Sequence, residues 1–489
     1  MDEWHGRLLR AGQAPVLWDA KTGWVSAAGL DRLAAASAST LRAIGACRGD
    51  RVMILGPTTV EFVAGYLGIL RSGMIAVPIN QDLTDAELGF VVADAHPAAA
   101  LVGDVRTARR LAPIPTVTLP TAAATEPQAQ AVPIGPADPA LICYTSGTTA
   151  SPKGVVLSHA NLHAGVRALV GAWRWTAADR LVLALPLFHI HGLAAGVHGT
   201  LLSGGSAVLL PRFDVDEVLD AAATHRATMF FGVPTMYARL AASDRLAELA
   251  RLRLCVSGSA PLPAELHRTI GATTGMAVLE RYGMSETLML TSNPYDGERR
   301  PGTVGFALPG VELQLRPLDP GEQPTDGKET ANAEGPTNEG EIVVRGPNVF
   351  AGYLGRPEAT AEAFDEDGWF RTGDVGRLDE DGYLRIVGRI KELIITGGEN
   401  VSPLEVEDVL RRHPAVTDVA VTGVSSDAWG EEVAAFIVSD HPPTLEELRT
   451  FAAPYLVAYK RPRRLHVVAE LPRNAMGKVQ RSRLQPPTS

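Results

Sequence analysis

Several features that would place a chain in a special class are missing from these 489 residues. Cysteine is scarce: Cys47, Cys143 and Cys255 are the only three. None belongs to a Cys-x-x-Cys pair, so neither a disulfide framework nor a cysteine-built zinc site is expected. Cys143 and Cys255 stand in apolar runs and read as small buried hydrophobes. No apolar run is long enough to span a bilayer, so no membrane partner is expected. The opening Met1-Asp2-Glu3-Trp4-His5 has no charged-then-apolar leader, which reads as a cytoplasmic protein. Positive charge is not in excess either. The formal net charge is −10, and no basic field exists to hold a nucleic-acid backbone. The short run Lys460-Arg461-Pro462-Arg463-Arg464 reads as a solvated face. No internal repeat is present.

What remains is the composition of a globular enzyme, 46% hydrophobic and 20% charged. Its length calls for two or more domains. Short apolar runs alternate with helical periodicity. Arg51–Leu55, 75–78 and 99–102 read as strands. Val60 to Ser72 reads as a helix. Thr84 with Glu87 forms a capping box that opens a helix from Asp85 to Ala95. This alternation predicts parallel α/β layers. Residues 113–139 and 319–340 break the rhythm and read as loops. After Arg389 the pattern becomes a compact α+β unit, with a helix from about Pro403 and strands at 416–421, 433–438 and 465–468. The expected fold is therefore α/β, with a large N-terminal domain of layered subdomains, residues 1–388, and a small mobile α+β domain, residues 389–489.

The chemistry concentrates in Tyr144-Thr145-Ser146-Gly147-Thr148-Thr149-Ala150-Ser151-Pro152-Lys153-Gly154. Hydroxyls and glycines let a loop wrap a polyphosphate, with N–H and O–H groups pointing inward. Lys153 adds a point charge. The order is not that of the Gly-x-x-x-x-Gly-Lys-Ser/Thr P-loop. Four further constellations follow: Glu280-Arg281-Tyr282-Gly283-Met284-Ser285-Glu286-Thr287, Trp369-Phe370-Arg371-Thr372-Gly373-Asp374, Gly388-Arg389-Ile390-Lys391 with Gly397-Gly398, and Leu471-Pro472-Arg473-Asn474-Ala475-Met476-Gly477-Lys478. Glu286 suits Mg²⁺ beside a phosphate, and Asp374 suits ribose hydroxyls.

Together these motifs resemble the adenylate-forming superfamily of acyl-CoA synthetases, luciferases and peptide-synthetase adenylation domains. The runs Arg281 to Gly302, Phe231-Gly-Val-Pro-Thr and Leu471 to Gln480 look most like malonyl-CoA synthetases, a resemblance that also implies a place in fatty acid metabolism. It implies ATP and coenzyme A as co-substrates, Mg²⁺, a small dicarboxylate substrate, and a monomer or dimer. It implies that Thr145, Ser146, Gly147, Thr148, Thr149 and Lys153 cradle the β/γ-phosphates, with Thr145 and Glu286 near the metal. Tyr282 and Gly283 would bound the adenine, opposite Ser257, Gly258, Ser259 and Ala260, with Ser285 also at the nucleotide. Asp374 and Arg389 would grip the ribose. Lys478 would act on the α-phosphate, with Glu286 and His189 also in catalytic roles. Lys391 would be a hinge, and Gly397 and Gly398 would line a thiol channel.

Arg281, His189, His191, Ser257 and Met284 would form the acyl pocket. A guanidinium there suits an acid with a second carboxylate. Arg281 could instead pair with Glu280 or Glu286. Activation of a monocarboxylate, and loading of a carrier-protein thiol, stand as alternatives to malonate–CoA ligation.

Overall fold

The structure is a computed structural model that describes residues 11–121, 131–145, 152–318, 338–397, 399–426, 429–474 and 477–484. Contacts divide the chain into two units. The first comprises Met1–Pro301, Ala307–Val311 and Arg345–Glu362; the second comprises Gly302–Phe306, Glu312–Val344 and Ala363–Ser489.

Two sheets build the first unit. In one, strands Pro15–Asp19, Ser206–Leu209, Arg180–Leu183, Met229–Gly232, Leu254–Ser257 and Leu279–Tyr282 lie side by side in that order, all parallel. Strands of this kind are buried on both faces and so carry no polar alternation. Phe230, Cys255, Val278 and Tyr237 belong to one core cluster on one side of the sheet. Thr291–Ser292 joins antiparallel beyond Leu279–Tyr282, with Arg281 opposite Ser292. In the other sheet Arg51–Leu55, Ile75–Pro78 and Ala99–Val102 are parallel neighbours. Pro139–Thr145 pairs with Ile75–Pro78 and then antiparallel with Lys153–Ser158.

Local sequence rules account for much of this. The Thr84–Glu87 capping box is present and opens helix Asp85–Ala95. Thr59 caps helix Val60–Arg71 by accepting from the Phe62 N–H, and Ser72 ends it. Strand Thr116–Thr118 falls inside a stretch expected to be loop. No helix among the described residues is long and apolar enough to cross a membrane.

The second unit holds a four-stranded sheet in the order Glu312–Arg316, Glu339–Arg345, Phe370–Leu378 and Leu384–Arg389, the last three paired antiparallel. It also holds a second sheet after residue 389, with helices Pro403–Leu410 and Leu445–Ala452. The division expected at 388/389 falls inside this unit. Ser402 Oγ donates to the Val387 carbonyl at 2.6 Å, so the first turn of helix Pro403–Leu410 is tied to the preceding sheet. Residues 394–456 nonetheless bury a core of their own, built on Val406, Leu410, Val433 and Leu448. The basic run is not simply solvated. Lys460 is buried and pairs with Glu405, Arg463 lies 3.8 Å over the Trp429 ring, and Arg464 pairs with Glu432.

Candidate functional site

The two flanks of the hydroxyl-rich loop are cross-strand partners: Thr145 stands opposite Lys153. Ser146, Gly147, Thr148 and Thr149 lie outside the described residues, as does Gly398. Tyr144, at the near flank, donates to Asp94 at 2.8 Å, and Arg356 holds the same carboxylate at 2.9 Å. At the far flank the Lys153 ammonium lies 4.7 Å from the Tyr353 ring centroid. The Tyr353 hydroxyl donates to Glu286 Oε1 at 3.0 Å. Glu286 is buried, and its carbonyl accepts from the Phe350 N–H.

Glu286 follows a tight approach of backbone to backbone. A Cβ on Gly283 would stand 2.1 Å from the Leu288 carbonyl oxygen, so only glycine fits there. Tyr282, Met284 and Ser285 around it are half-buried. Facing them in the sequence scheme, Ser259 is exposed with φ +71°. A serine there is uncommon and marks a constrained turn. Ala260 beside it is half-buried.

Arg281 is buried, and its Nε and Nη2 have no hydrogen-bond partner among the described residues. Burial pushes its guanidinium down to about 9, so it stays charged at neutral pH. No hydrogen bond or ion pair among the described residues joins it to Glu280 or Glu286. Glu280 Oε1 instead accepts from the Leu262 N–H at 3.1 Å, on the other face of the sheet. The backbone of Gly258 lies against the guanidinium: a Cβ there would meet Cζ at 2.3 Å.

His191 opens an eight-residue π-helix, His191–His198, a geometry common at functional sites. It is buried and stacked on Phe231 at 6.1 Å and 22°. Burial first, then the Arg281 and His189 charges, keep it well below the usual imidazole range. It is therefore neutral, and its Nε2 has no hydrogen-bond partner among the described residues. Its Nδ1 lies 3.4 Å from Ser259 Oγ. His189, half-buried against Phe188, is held down to about 4 by burial. Arg281 and His191 thus present a cation and a neutral imidazole, both buried, with polar atoms left over. Such an arrangement can take an anionic group.

Ser257 does not join them. Its register partner is Glu280, and strand alternation puts it on that residue's face, away from Arg281.

In the second unit Asp374 and Arg389 are directly opposed in register, and Arg389 Nε donates to Asp374 Oδ1 at 2.7 Å. Lys478 follows the turn at Gly477, φ +73°. Its N–H donates to Asn474 Oδ1 at 3.0 Å. Burial and the neighbouring Arg389 lower its ammonium, while Glu392 and Asp374 work the other way. Asp374, Arg389 and Lys478 therefore share one electrostatic neighbourhood. Lys391 is exposed on the short turn Ile390–Glu392. Glu392 is tied to Arg481 at 2.9 Å. Gly397 has φ +62°, and a Cβ there would stand 3.0 Å from the Trp429 ring.

Asp94, Tyr353 and Arg356 were not among the residues singled out by motif. They sit far from the loop in sequence: strand pairing brings in Tyr353, and side-chain contacts bring in Asp94 and Arg356. The glycine–aromatic pair Gly352-Tyr353 was the one local signal.

The AMP-binding enzyme family model matches residues 7–354, and the AMP-binding enzyme C-terminal domain model matches 405–478. A malonate–CoA ligase of Arabidopsis thaliana is 38% identical, over 90% of this chain and 78% of the relative. ATP-bound MatB from Rhodopseudomonas palustris superposes with a TM-score of 0.90 at 41% identity, covering 98% of this chain and 97% of that one. A malonyl-CoA ligase product complex with methylmalonyl-CoA and AMP gives 0.69 at 40% identity, covering 95% and 97%.

Proposed function

The chain belongs to the AMP-binding enzyme family, and on that premise we propose that it is a malonate–CoA ligase. One carboxylate of malonate attacks the α-phosphate of ATP and expels pyrophosphate, giving malonyl-adenylate. The thiol of coenzyme A then attacks the acyl carbonyl and AMP leaves. The observation that carries the substrate assignment is the buried Arg281 guanidinium with Nε and Nη2 unpaired. A buried charge with no counter-charge is costly. The distal carboxylate of a dicarboxylic acid supplies that charge, while a fatty chain would leave it uncompensated. His191, neutral and unpaired at Nε2, adds a hydrogen bond without adding charge. Methylmalonate fits the same reading.

Lys153 and the hydroxyl loop would hold the β- and γ-phosphates. No three His, Cys, Asp or Glu among the described residues gather as a metal cage. One buried carboxylate beside phosphate oxygens and water is the donor set Mg²⁺ takes in nucleotide sites, and Glu286 with Thr145 fits it. The ion would neutralise charge on the leaving pyrophosphate. Asp374 would accept from the ribose hydroxyls, with Arg389 holding it in place. Lys478 would meet the charge that develops at the α-phosphate. Lys391 would absorb the backbone change between half-reactions, and Gly397 would line the thiol path. A cytoplasmic setting is part of this reading.

Pyrophosphate release with CoA present, over malonate, methylmalonate, succinate, acetate and octanoate, tests the proposal. Malonate or methylmalonate should give the highest kcat/KM. Preference for acetate or octanoate would overturn it.

A further inference from the structure

Tyr353 touches two residues with distinct tasks. Its hydroxyl donates to the Glu286 carboxylate at 3.0 Å, and its ring lies 4.7 Å from the Lys153 ammonium. Among the described residues no ion pair joins Lys153 to Glu286. An ammonium and a carboxylate so placed tend to collapse onto one another. Here an aromatic ring stands by the one and a hydroxyl holds the other. The ring attracts the cation through its face without consuming an N–H donor geometry, as a carboxylate would.

The ring itself is held on several sides. Tyr353 pairs antiparallel with Val155, two residues past Lys153. Its N–H donates to Thr360 Oγ1 at 2.9 Å, and Phe350 packs edge-on at 4.9 Å. Three residues on, Arg356 reaches Asp94 and through it Tyr144 at the other flank of the loop. The short segment 352–356 thus braces both flanks of the phosphate loop and the carboxylate beside it.

We propose that Tyr353 is a positioning residue that sets the spacing between Glu286 and Lys153, and so between the metal contact and the phosphate contact of bound Mg-ATP. The inference rests on the reading above, in which Glu286 holds Mg²⁺ and Lys153 binds phosphate.

Tyr353→Phe keeps the ring beneath Lys153 and removes the donor to Glu286; Tyr353→Leu removes both. Three quantities are measured on each: the Mg²⁺ requirement of malonate-dependent pyrophosphate release, the calorimetric affinity for a non-hydrolysable ATP analogue with and without Mg²⁺, and the rate of malonyl-CoA formation from preformed malonyl-adenylate and CoA. Tyr353→Phe should raise the Mg²⁺ requirement about tenfold and leave the thioester step within about twofold, as expected for one lost charge-assisted hydrogen bond. It should weaken analogue binding with Mg²⁺ but not without it. Tyr353→Leu should also weaken the metal-free affinity. Wild-type Mg²⁺ dependence and affinity in Tyr353→Phe overturns the inference. Equal losses in both half-reactions with a lower Tm does so too, because it reduces the ring to packing. Glu286→Gln run in parallel separates the two levels. If it retains the wild-type Mg²⁺ requirement, the metal reading itself falls and Tyr353 with it. If it shifts that requirement and Tyr353→Phe does not, only the positioning role falls.

Discussion

Gly258 and Arg281 are locked together: the glycine backbone lies so near the guanidinium that a Cβ would sit 2.3 Å from Cζ and 2.4 Å from Nε. The glycine makes room for a cation whose Nε and Nη2 find no hydrogen-bond partner among the described residues. The pair ties the Ser-Gly-Ser turn after strand Leu254–Ser257 to strand Leu279–Tyr282, and it explains how a charge can be stored at the sheet's end for a ligand to meet.

Arg281→Ala should cost malonate about 3–5 kcal/mol in kcat/KM, the usual loss when one member of a buried charge pair is removed. Activity with butyrate should hold or rise, because the neutral pocket no longer penalises an apolar end. Kinetics with both acids on one purified variant decide the matter. Unchanged malonate turnover would remove the physical support for a dicarboxylate.

Gly258→Ala should act on Arg281 from behind. The guanidinium must shift, at an overpacking cost of about 1–3 kcal/mol. The KM for malonate should rise much more than the KM for ATP, with a modest drop in Tm. Equal changes in both KM values would argue against a local effect.

Lys478→Ala should lower malonate-dependent pyrophosphate release by on the order of 10²-fold or more. Conversion of preformed malonyl-adenylate and CoA to malonyl-CoA should be spared. Normal pyrophosphate release by the variant would rule out the assigned role.

The pH profile gives a separate check on Lys478. Burial, then the Arg389 charge, holds its ammonium below the ordinary lysine value of 10.5. The cation is present below the shifted value and lost as pH rises through it. The alkaline limb of adenylation kcat/KM, which reports the free enzyme, should therefore fall before pH 10.5. Lys478→Arg should move that limb upward. A limb that stays put in Lys478→Arg assigns it to another group.

Lys391→Pro should block the second half-reaction while allowing the first, since proline fixes φ and removes an N–H. A single turnover of pyrophosphate release with little malonyl-CoA is expected. Parallel loss of both steps would count against a hinge at this position.

Much of the architecture was legible from local rules. The capping box at Thr84 and Glu87 and the strands at Arg51–Leu55, Ile75–Pro78 and Ala99–Val102 follow from periodicity and from side chains that bond to their own neighbours. The Arg281-Tyr282-Gly283 order was legible too, and the family resemblance is what implied an acyl pocket beside it. Strand pairing is not. Whether Arg281 turns to Glu280, to Glu286 or to neither depends on which face of the sheet each carboxylate occupies, and alternation against the Ser257–Glu280 register sends Glu280 to the far side. The same register puts Ser257 on the face of Glu280. Tyr353 lies 67 residues from Glu286, and only the antiparallel pairing of Gly352–Tyr353 with Val155 and Val156 brings its hydroxyl to Glu286 and its ring to Lys153. Sequence set which chemical groups the chain carries; the pairing of distant strands, a long-range property with no local signature, decided which of them meet.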